Sequence, residues 1–105
     1  LQHMLDAALE IRQYVQSSTR EDLDDDRKLV HSLVRLFEII GEAATQVSDE
    51  LRDNTPRIPW LVIIGMRNRL IHAYFSINLE VVWSTSTEDI PSLIRELEKL
   101  LGAGK

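Results

Sequence analysis

The sequence predicts an all-α protein, an up-and-down bundle of four to five helices. Apolar residues recur three or four positions apart over most of the chain, and no stretch shows the two-residue alternation of a half-buried strand. A length of 105 residues with 44% hydrophobic content allows one modest core. We therefore expect a single domain over 1–105. Because the chain begins with Leu1, we also expect its natural N-terminus to be trimmed.

The first two helices are predicted from their apolar stripes. An amphipathic helix is expected over 1–17, followed by a solvated acidic loop that includes 21–26. Asp24 or Asp25 is the expected N-cap of a second helix over about 26–47. Its apolar stripe comprises Leu29, Leu33, Leu36, Phe37, Ile40, Ala44 and Val47.

Gly41 interrupts the second helix, where glycine costs about 1 kcal/mol relative to alanine. Two small residues, Ala43 and Ala44, follow it closely. This combination predicts that another helix approaches closely at Gly41. Farther on, Ser48 is expected to cap a short turn that runs through Asp53.

A third helix is predicted from Trp60 to about His72, with Pro59 at its first position. Its first half is apolar and its second half is cationic. We expect Trp60 to be a packing anchor. Three more predictions concern the C-terminal part: Asn78 caps a segment from Leu79 to about Glu88, Pro91 starts or kinks the last helix, and that helix ends near Leu101.

The composition excludes several classes of function. With no cysteines, the chain has no disulfides, no thiolate chemistry and no thiolate zinc ligands. Its three histidines lie on three different predicted segments, so we expect neither a metal nor another cofactor. The longest apolar run, Trp60–Ile64, is too short for a membrane span, and a cytoplasmic location is expected.

The net charge of −5 argues against broad, nonspecific coating of nucleic acid. The distribution of charge is uneven, however. Four arginines lie between positions 51 and 72: Arg52, Arg57, Arg67 and Arg69. They predict a local positive cleft in an acidic protein.

The most informative stretch is Arg67-Asn68-Arg69-Leu70-Ile71-His72-Ala73-Tyr74. It has the pattern R-x4-H-x-Y, which combines a cation that binds phosphate, a group that moves protons near neutral pH, and a hydroxyl. These groups suit the binding or cleavage of a phosphodiester. Taken singly, an exposed helix arginine, a histidine at a helix end and a tyrosine at the core edge are also common.

Helix geometry complicates a site built from one straight helix. Arg67 and His72 would be about 140° apart around the axis, whereas Asn68 and His72 would share a face, as would Arg67 and Tyr74. Either the helix ends near His72 or two copies of the chain form the site. Cleavage of RNA by its own 2′-hydroxyl needs a proton acceptor, a proton donor and a cation, which a two-fold pair of chains would supply.

These residues resemble the HEPN superfamily, and within it the HepT-like toxins. Besides the motif, the likeness covers nearly the whole chain: Ile39–Ala43 looks like the second-helix pattern, and Ile58–Trp60 with Gly65–Asn68 like the lead-in to the active helix. The later blocks Val82-Trp83 and Asp89–Leu93 fit too. One difference is Asn78, where relatives often carry an acid.

The resemblance implies a helical homodimer with metal-independent endoribonuclease activity, in which Arg67 and His72 form the catalytic pair. Asn68 is expected to support the site and Arg69 to contact the RNA backbone. The resemblance also implies a toxin–antitoxin system whose partner, an MNT-type nucleotidyltransferase, transfers AMP to Tyr74. Some relatives act on tRNA.

A bulky, negatively charged AMP on Tyr74 would lie beside the cleft and repel RNA. The alternative from another class is a non-catalytic helical module that binds RNA or nucleotide and serves as the partner of that nucleotidyltransferase.

Overall fold

The computed structural model of the chain is a helical bundle with one short pair of strands, which confirms the predicted all-α class. It describes the backbone of residues 1–73 and 76–102 and the side chains of residues 1–66 and 78–102. The elements in chain order are α1 (Gln2–Gln16), α2 (Asp22–Asp25), α3 (Arg27–Thr45), α4 (Asp49–Asp53), α5 (Trp60–Leu70), β1 (Ile71–Ala73), β2 (Ser76–Ile77), α6 (Leu79–Ser84), a π-helical segment (Thr85–Asp89) and α7 (Ile90–Gly102).

Helix α3 forms the centre of the fold. It packs against α1 and against α5, while α7 packs on α1. Its buried side chains are Leu29, Val30, Leu33, Val34, Leu36, Phe37, Ile40 and Ala44. The other helices bury Met4, Ile11, Ile94 and Leu97 against this stripe. Each large apolar side chain buried in this way stabilises the fold by about 1.5–3 kcal/mol.

The acidic segment before α3 differs from the prediction. Asp24 and Asp25 do not cap α3; they lie in the single helical turn α2, whose Leu23 is buried. The N-cap is Asp26, which accepts a hydrogen bond from the backbone N–H of Leu29 at 3.1 Å. A run of acidic residues suits the first turn of a helix, because the N-terminal end of the helix dipole is positive.

Three other predicted helix starts agree closely with the structure. Ser48 Oγ accepts a hydrogen bond from the N–H of Leu51, and Asn78 Oδ1 accepts one from the N–H of Val81, each at 3.2 Å. Helix α5 begins at Trp60, as predicted. Trp60 is buried, and its Nε1 donates a hydrogen bond to Thr55 Oγ1 at 3.0 Å, so it is the expected packing anchor.

The C-terminal helices form one nearly continuous stretch, from Leu79 to Gly102. A π-helical segment precedes Pro91, and the N–H of Ile90 donates to the carbonyl of Thr85, five residues back. Proline has no N–H, and in a regular helix its ring clashes with the carbonyl four residues before it. A π-helical turn at this place accommodates Pro91 without ending the helix. The predicted start or kink at Pro91 is therefore a local change in helix type.

Helix α5 ends at Leu70, two residues before the predicted end at His72. The chain continues as β1, which pairs antiparallel with β2, with Ile71 opposite Ile77 and Ala73 opposite Ser76. β-branched and aromatic residues are enriched in this part of the chain, and such residues favour strands over helix. This strand pair was not predicted, because it is too short to show an alternating pattern in the sequence.

Candidate active site at the junction of helix α5 and strand β1

The R-x4-H-x-Y motif lies where α5 passes into β1. The backbone of Arg67–Leu70 forms the last turn of α5, and His72 is the middle residue of β1. The side chains of Arg67, Asn68, Arg69 and His72, and the whole of Tyr74, lie outside the described residues. Their roles as catalytic pair, supporting residue, RNA contact and modification site stay predictions.

The end of α5 at Leu70 changes the geometric argument about the motif. His72 lies in strand β1 and not in the helix, so it does not share a helical face with Asn68. The alignment of Arg67 with Tyr74 required a helix through position 74, and this also does not arise. Of the two alternatives, the early helix end is the one observed. The helical angle between Arg67 and His72 therefore no longer argues against a site within one chain.

Close packing at Gly41 holds α5 against α3. A Cβ atom at this position would lie 3.4 Å from the carbonyl oxygen of Ile63 and 3.8 Å from that of Ile64. The backbones therefore approach each other closely, as the sequence predicted. Ile63 and Met66 of α5 are also buried in the core. The turn of α5 that leads into the motif is thus fixed relative to α3.

Contacts at both ends show that α5 runs antiparallel to α3. The Arg52 guanidinium donates hydrogen bonds to the carbonyls of Ala44 and Thr45, which keeps the chain before α5 at the C-terminal end of α3. Beyond the strand pair, Glu80 accepts a hydrogen bond from Nε of Arg20 at 2.8 Å, close to the start of α3. This hydrogen bond raises the pKa of the Arg20 guanidinium, which stays charged.

One of the four arginines predicted to form a positive cleft makes other contacts in the structure. Arg52 binds carbonyl groups at the end of α3, where a cation also interacts favourably with the helix dipole. Arg57 is exposed beside a groove of about 460 Å³ between the start of α5 and α7. Arg67 and Arg69 thus remain the two arginines placed on the motif itself.

The first half of α5 presents an apolar face to solvent. Leu61 is 82% exposed and Val62 is 46% exposed. Gly65 follows Leu61 by one helical turn, and a Cβ atom at Gly65 would meet nothing within 4 Å. Exposed aliphatic side chains beside a glycine with open space mark a surface that another molecule can approach closely.

A second groove, of about 600 Å³, lies along α3 beside the start of α1. Two glutamates of α3 line it, Glu38 and Glu42, together with Arg35 and His3. Both glutamates lie on α3, the helix that packs against α5. His3 and His31 are exposed.

In the part of the chain whose side chains are described, no three His, Asp or Glu residues come close enough together to hold a metal ion. The motif histidine is not among these side chains, so the expectation of metal-independent chemistry stays a prediction. Across the described helices, none is long and apolar enough to cross a membrane.

Comparison with known proteins gives a family match over nearly the whole chain. The family model described as "Ribonuclease HepT-like" matches residues 4–100. A protein named "Probable ribonuclease HepT" from Thermococcus cleftensis is 38% identical over 100 residues, which are 95% of this chain and 91% of that protein. No solved structure shows a significant match to the chain.

Two further relatives carry similar names. A protein named "Putative RNase" from Caldanaerobacter subterraneus subsp. tengcongensis is 36% identical over 101 residues, or 96% of this chain and 90% of its own length. Another "Putative RNase", from Methanocaldococcus jannaschii, is 30% identical over 98 residues, or 93% of this chain and 90% of its own length. These similarities support a ribonuclease activity.

Proposed function

The chain belongs to the HepT-like ribonuclease family, and on that premise we propose that it is an endoribonuclease that acts as the toxin of a toxin–antitoxin system. The match of the family model over residues 4–100, a range that includes the R-x4-H-x-Y motif, carries the proposal. RNA is the substrate, with tRNA as the first RNA to test. The protein works as a single domain in the cytoplasm, without a metal or other cofactor.

The proposed reaction is attack of the 2′-hydroxyl of RNA on the adjacent phosphorus. A bond forms between the 2′-oxygen and phosphorus, and the bond from phosphorus to the 5′-oxygen breaks. The His72 imidazole of one chain accepts the proton of the 2′-hydroxyl, and that of a second chain donates a proton to the leaving 5′-oxygen. The Arg67 guanidinium stabilises the charge that builds on the phosphate, Asn68 supports the site, and Arg69 contacts the RNA backbone.

Cleavage in the presence of EDTA tests this proposal. We expect the wild-type protein to cleave tRNA or total RNA with EDTA present. His72→Ala and Arg67→Ala should each reduce the rate by at least about 100-fold, since general acid–base and electrostatic catalysis contribute at this level. His31→Ala is the matched control, because His31 is exposed on α3. Circular dichroism checks that the variants fold.

Absence of cleavage by the wild-type protein would instead favour the non-catalytic module that binds RNA or nucleotide and partners a nucleotidyltransferase. Cleavage that EDTA abolishes would contradict metal independence alone.

We propose that two chains form the active protein through the exposed face of α5. Leu61, Val62 and Gly65 provide an apolar surface with room for close approach of a second helix. Position 67 lies two residues, or about 3 Å along the helix axis, beyond Gly65. A two-fold axis near Gly65 would bring the C-terminal ends of the two α5 helices close together, so that the two motifs could line one shared cleft.

Substitution on this face tests the dimer. Leu61→Asp is expected to give a monomer in light scattering and to lose RNA cleavage, because a carboxylate there would be buried between the chains. Tyr14→Asp is the control, since Tyr14 is another exposed apolar residue, on α1, and is 38% exposed. A wild-type monomer with full activity would contradict the proposal.

Regulation is proposed to act through Tyr74. An MNT-type nucleotidyltransferase would transfer AMP from ATP to the tyrosine hydroxyl and release pyrophosphate. The added bulk and negative charge beside the motif would exclude RNA. Co-expression with the nucleotidyltransferase should add the mass of one AMP group per chain and abolish cleavage, and Tyr74→Phe should prevent both effects. Equal activity of modified and unmodified protein would contradict this regulation.

A further inference from the structure

Glu38 lies on α3 near Gly41, the residue at which α3 meets the backbone of α5. It precedes Gly41 by three residues, so it is about 60° from Gly41 around the helix axis and nearly one turn back along it. Its side chain is 29% exposed, against 71% for that of Arg35, whose Nη1 lies 3.5 Å from Glu38 Oε2. Glu42, one turn farther along the same groove, is exposed. Glu38 is therefore the partly shielded acidic side chain of this groove, and it lies within one helical turn of Gly41.

Position 67 continues the stripe of α5 that packs on α3. The carbonyls closest to Gly41 are those of Ile63 and Ile64. Arg67 follows these residues by four and three positions, and residues at such spacing share a helix face. The helix continues unbroken through position 67 to Leu70. Because α5 and α3 are antiparallel, one turn forward on α5 corresponds to one turn back on α3, which is the level of Glu38.

We infer that Glu38 is a positioning residue for Arg67. This inference rests on the proposed ribonuclease function. A guanidinium presents five N–H donors in a planar fork, so one edge can bind a carboxylate while another edge binds a phosphate. Glu38 holds the guanidinium at the angle required for the phosphate and does not itself touch the reacting atoms. Without it, Arg67 keeps its charge but loses a fixed orientation.

Kinetics of Glu38→Gln and the matched Glu42→Gln test this role. Glu38→Gln is expected to lower kcat and kcat/KM together by roughly 10- to 100-fold with KM little changed, because the interaction is realised in the transition state. Glu42→Gln should stay within about twofold of wild type, since the side chain is exposed. In an Arg67→Lys background, Glu38→Gln should cause little further loss. Equal losses in the two glutamine variants, unchanged activity in Glu38→Gln, or additive losses with Arg67→Lys would overturn the inference.

A second measurement does not depend on catalysis. Melting temperatures of Glu38→Gln, Arg67→Gln and the double variant form a double-mutant cycle. If the two side chains interact, the double variant should melt close to the lower of the two single variants. Additive shifts would overturn the inference even in a protein that cleaves RNA. If the cycle shows coupling while the wild-type protein fails to cleave RNA, the contact between Glu38 and Arg67 stands, but the ribonuclease function and the positioning role are both contradicted.

Discussion

Two glycines inside helices, Gly41 in α3 and Gly65 in α5, lie in very different surroundings. Each costs about 1 kcal/mol of helix stability relative to alanine. A Cβ atom at Gly41 would lie 3.4 Å from a carbonyl oxygen of α5, whereas one at Gly65 would meet nothing within 4 Å. Packing within the chain thus explains Gly41 but not Gly65. The exposed Leu61 one turn before Gly65 indicates that the second glycine serves a contact with another molecule.

Gly41→Leu should have the largest effect on the stability of the single chain. Its branched side chain would have to enter the space between α3 and the backbone of α5, and such overpacking typically costs about 1–3 kcal/mol. We expect this loss in the free energy of unfolding, measured with urea in the Leu61→Asp background so that association does not contribute. Stability equal to that of the parent would show that α5 does not pack closely at Gly41.

Gly65→Leu should leave the single chain stable but weaken the dimer. The new side chain has open space in the monomer and would separate two helices that meet at Gly65. We expect the dissociation constant of the dimer to rise at least about tenfold, or about 1.4 kcal/mol, in analytical ultracentrifugation. A dimer as tight as wild type would place the interface elsewhere.

Gly65→Ala should have the smallest effect. In the Leu61→Asp background, alanine at this exposed helical position is expected to raise the free energy of unfolding by about 0.5–1 kcal/mol, because glycine loses more backbone freedom on folding. Urea denaturation of the two proteins measures the difference. A loss of stability would mean that Gly65 has a packing role within the chain after all.

Local signals in the sequence predicted most of the bundle. Ser48 and Asn78 cap the helices that they were expected to cap, because a short polar side chain before a helix has one dominant way to bind the free N–H groups. Gly41 marks the helix contact that its small neighbours indicated. Several acidic residues compete for the cap of α3, and local sequence did not decide between them and Asp26, the one observed.

The departures arise where tertiary contacts or backbone pairing outweigh helical periodicity. The pattern of α5 continues past Leu70, but the residues that follow pair as strands with a segment beyond position 75. The antiparallel register of α3 and α5, from which we infer the pairing of Glu38 with Arg67, depends on contacts at both ends of the two helices. The roles of the side chains in the R-x4-H-x-Y motif remain predictions.

The π-helical segment Thr85–Asp89 determines where the C-terminal helices can lose one residue. A π-helical turn amounts to one extra residue within an α-helix, so deletion of one residue there would restore a regular helix without rotating α7 relative to α6. The same deletion within α6 would rotate the buried stripe of α7 by about 100° relative to the residues before the deletion. However, Pro91 lies directly after the segment and would clash in a regular helix. Loss of the extra residue is therefore compatible with this fold only together with replacement of that proline.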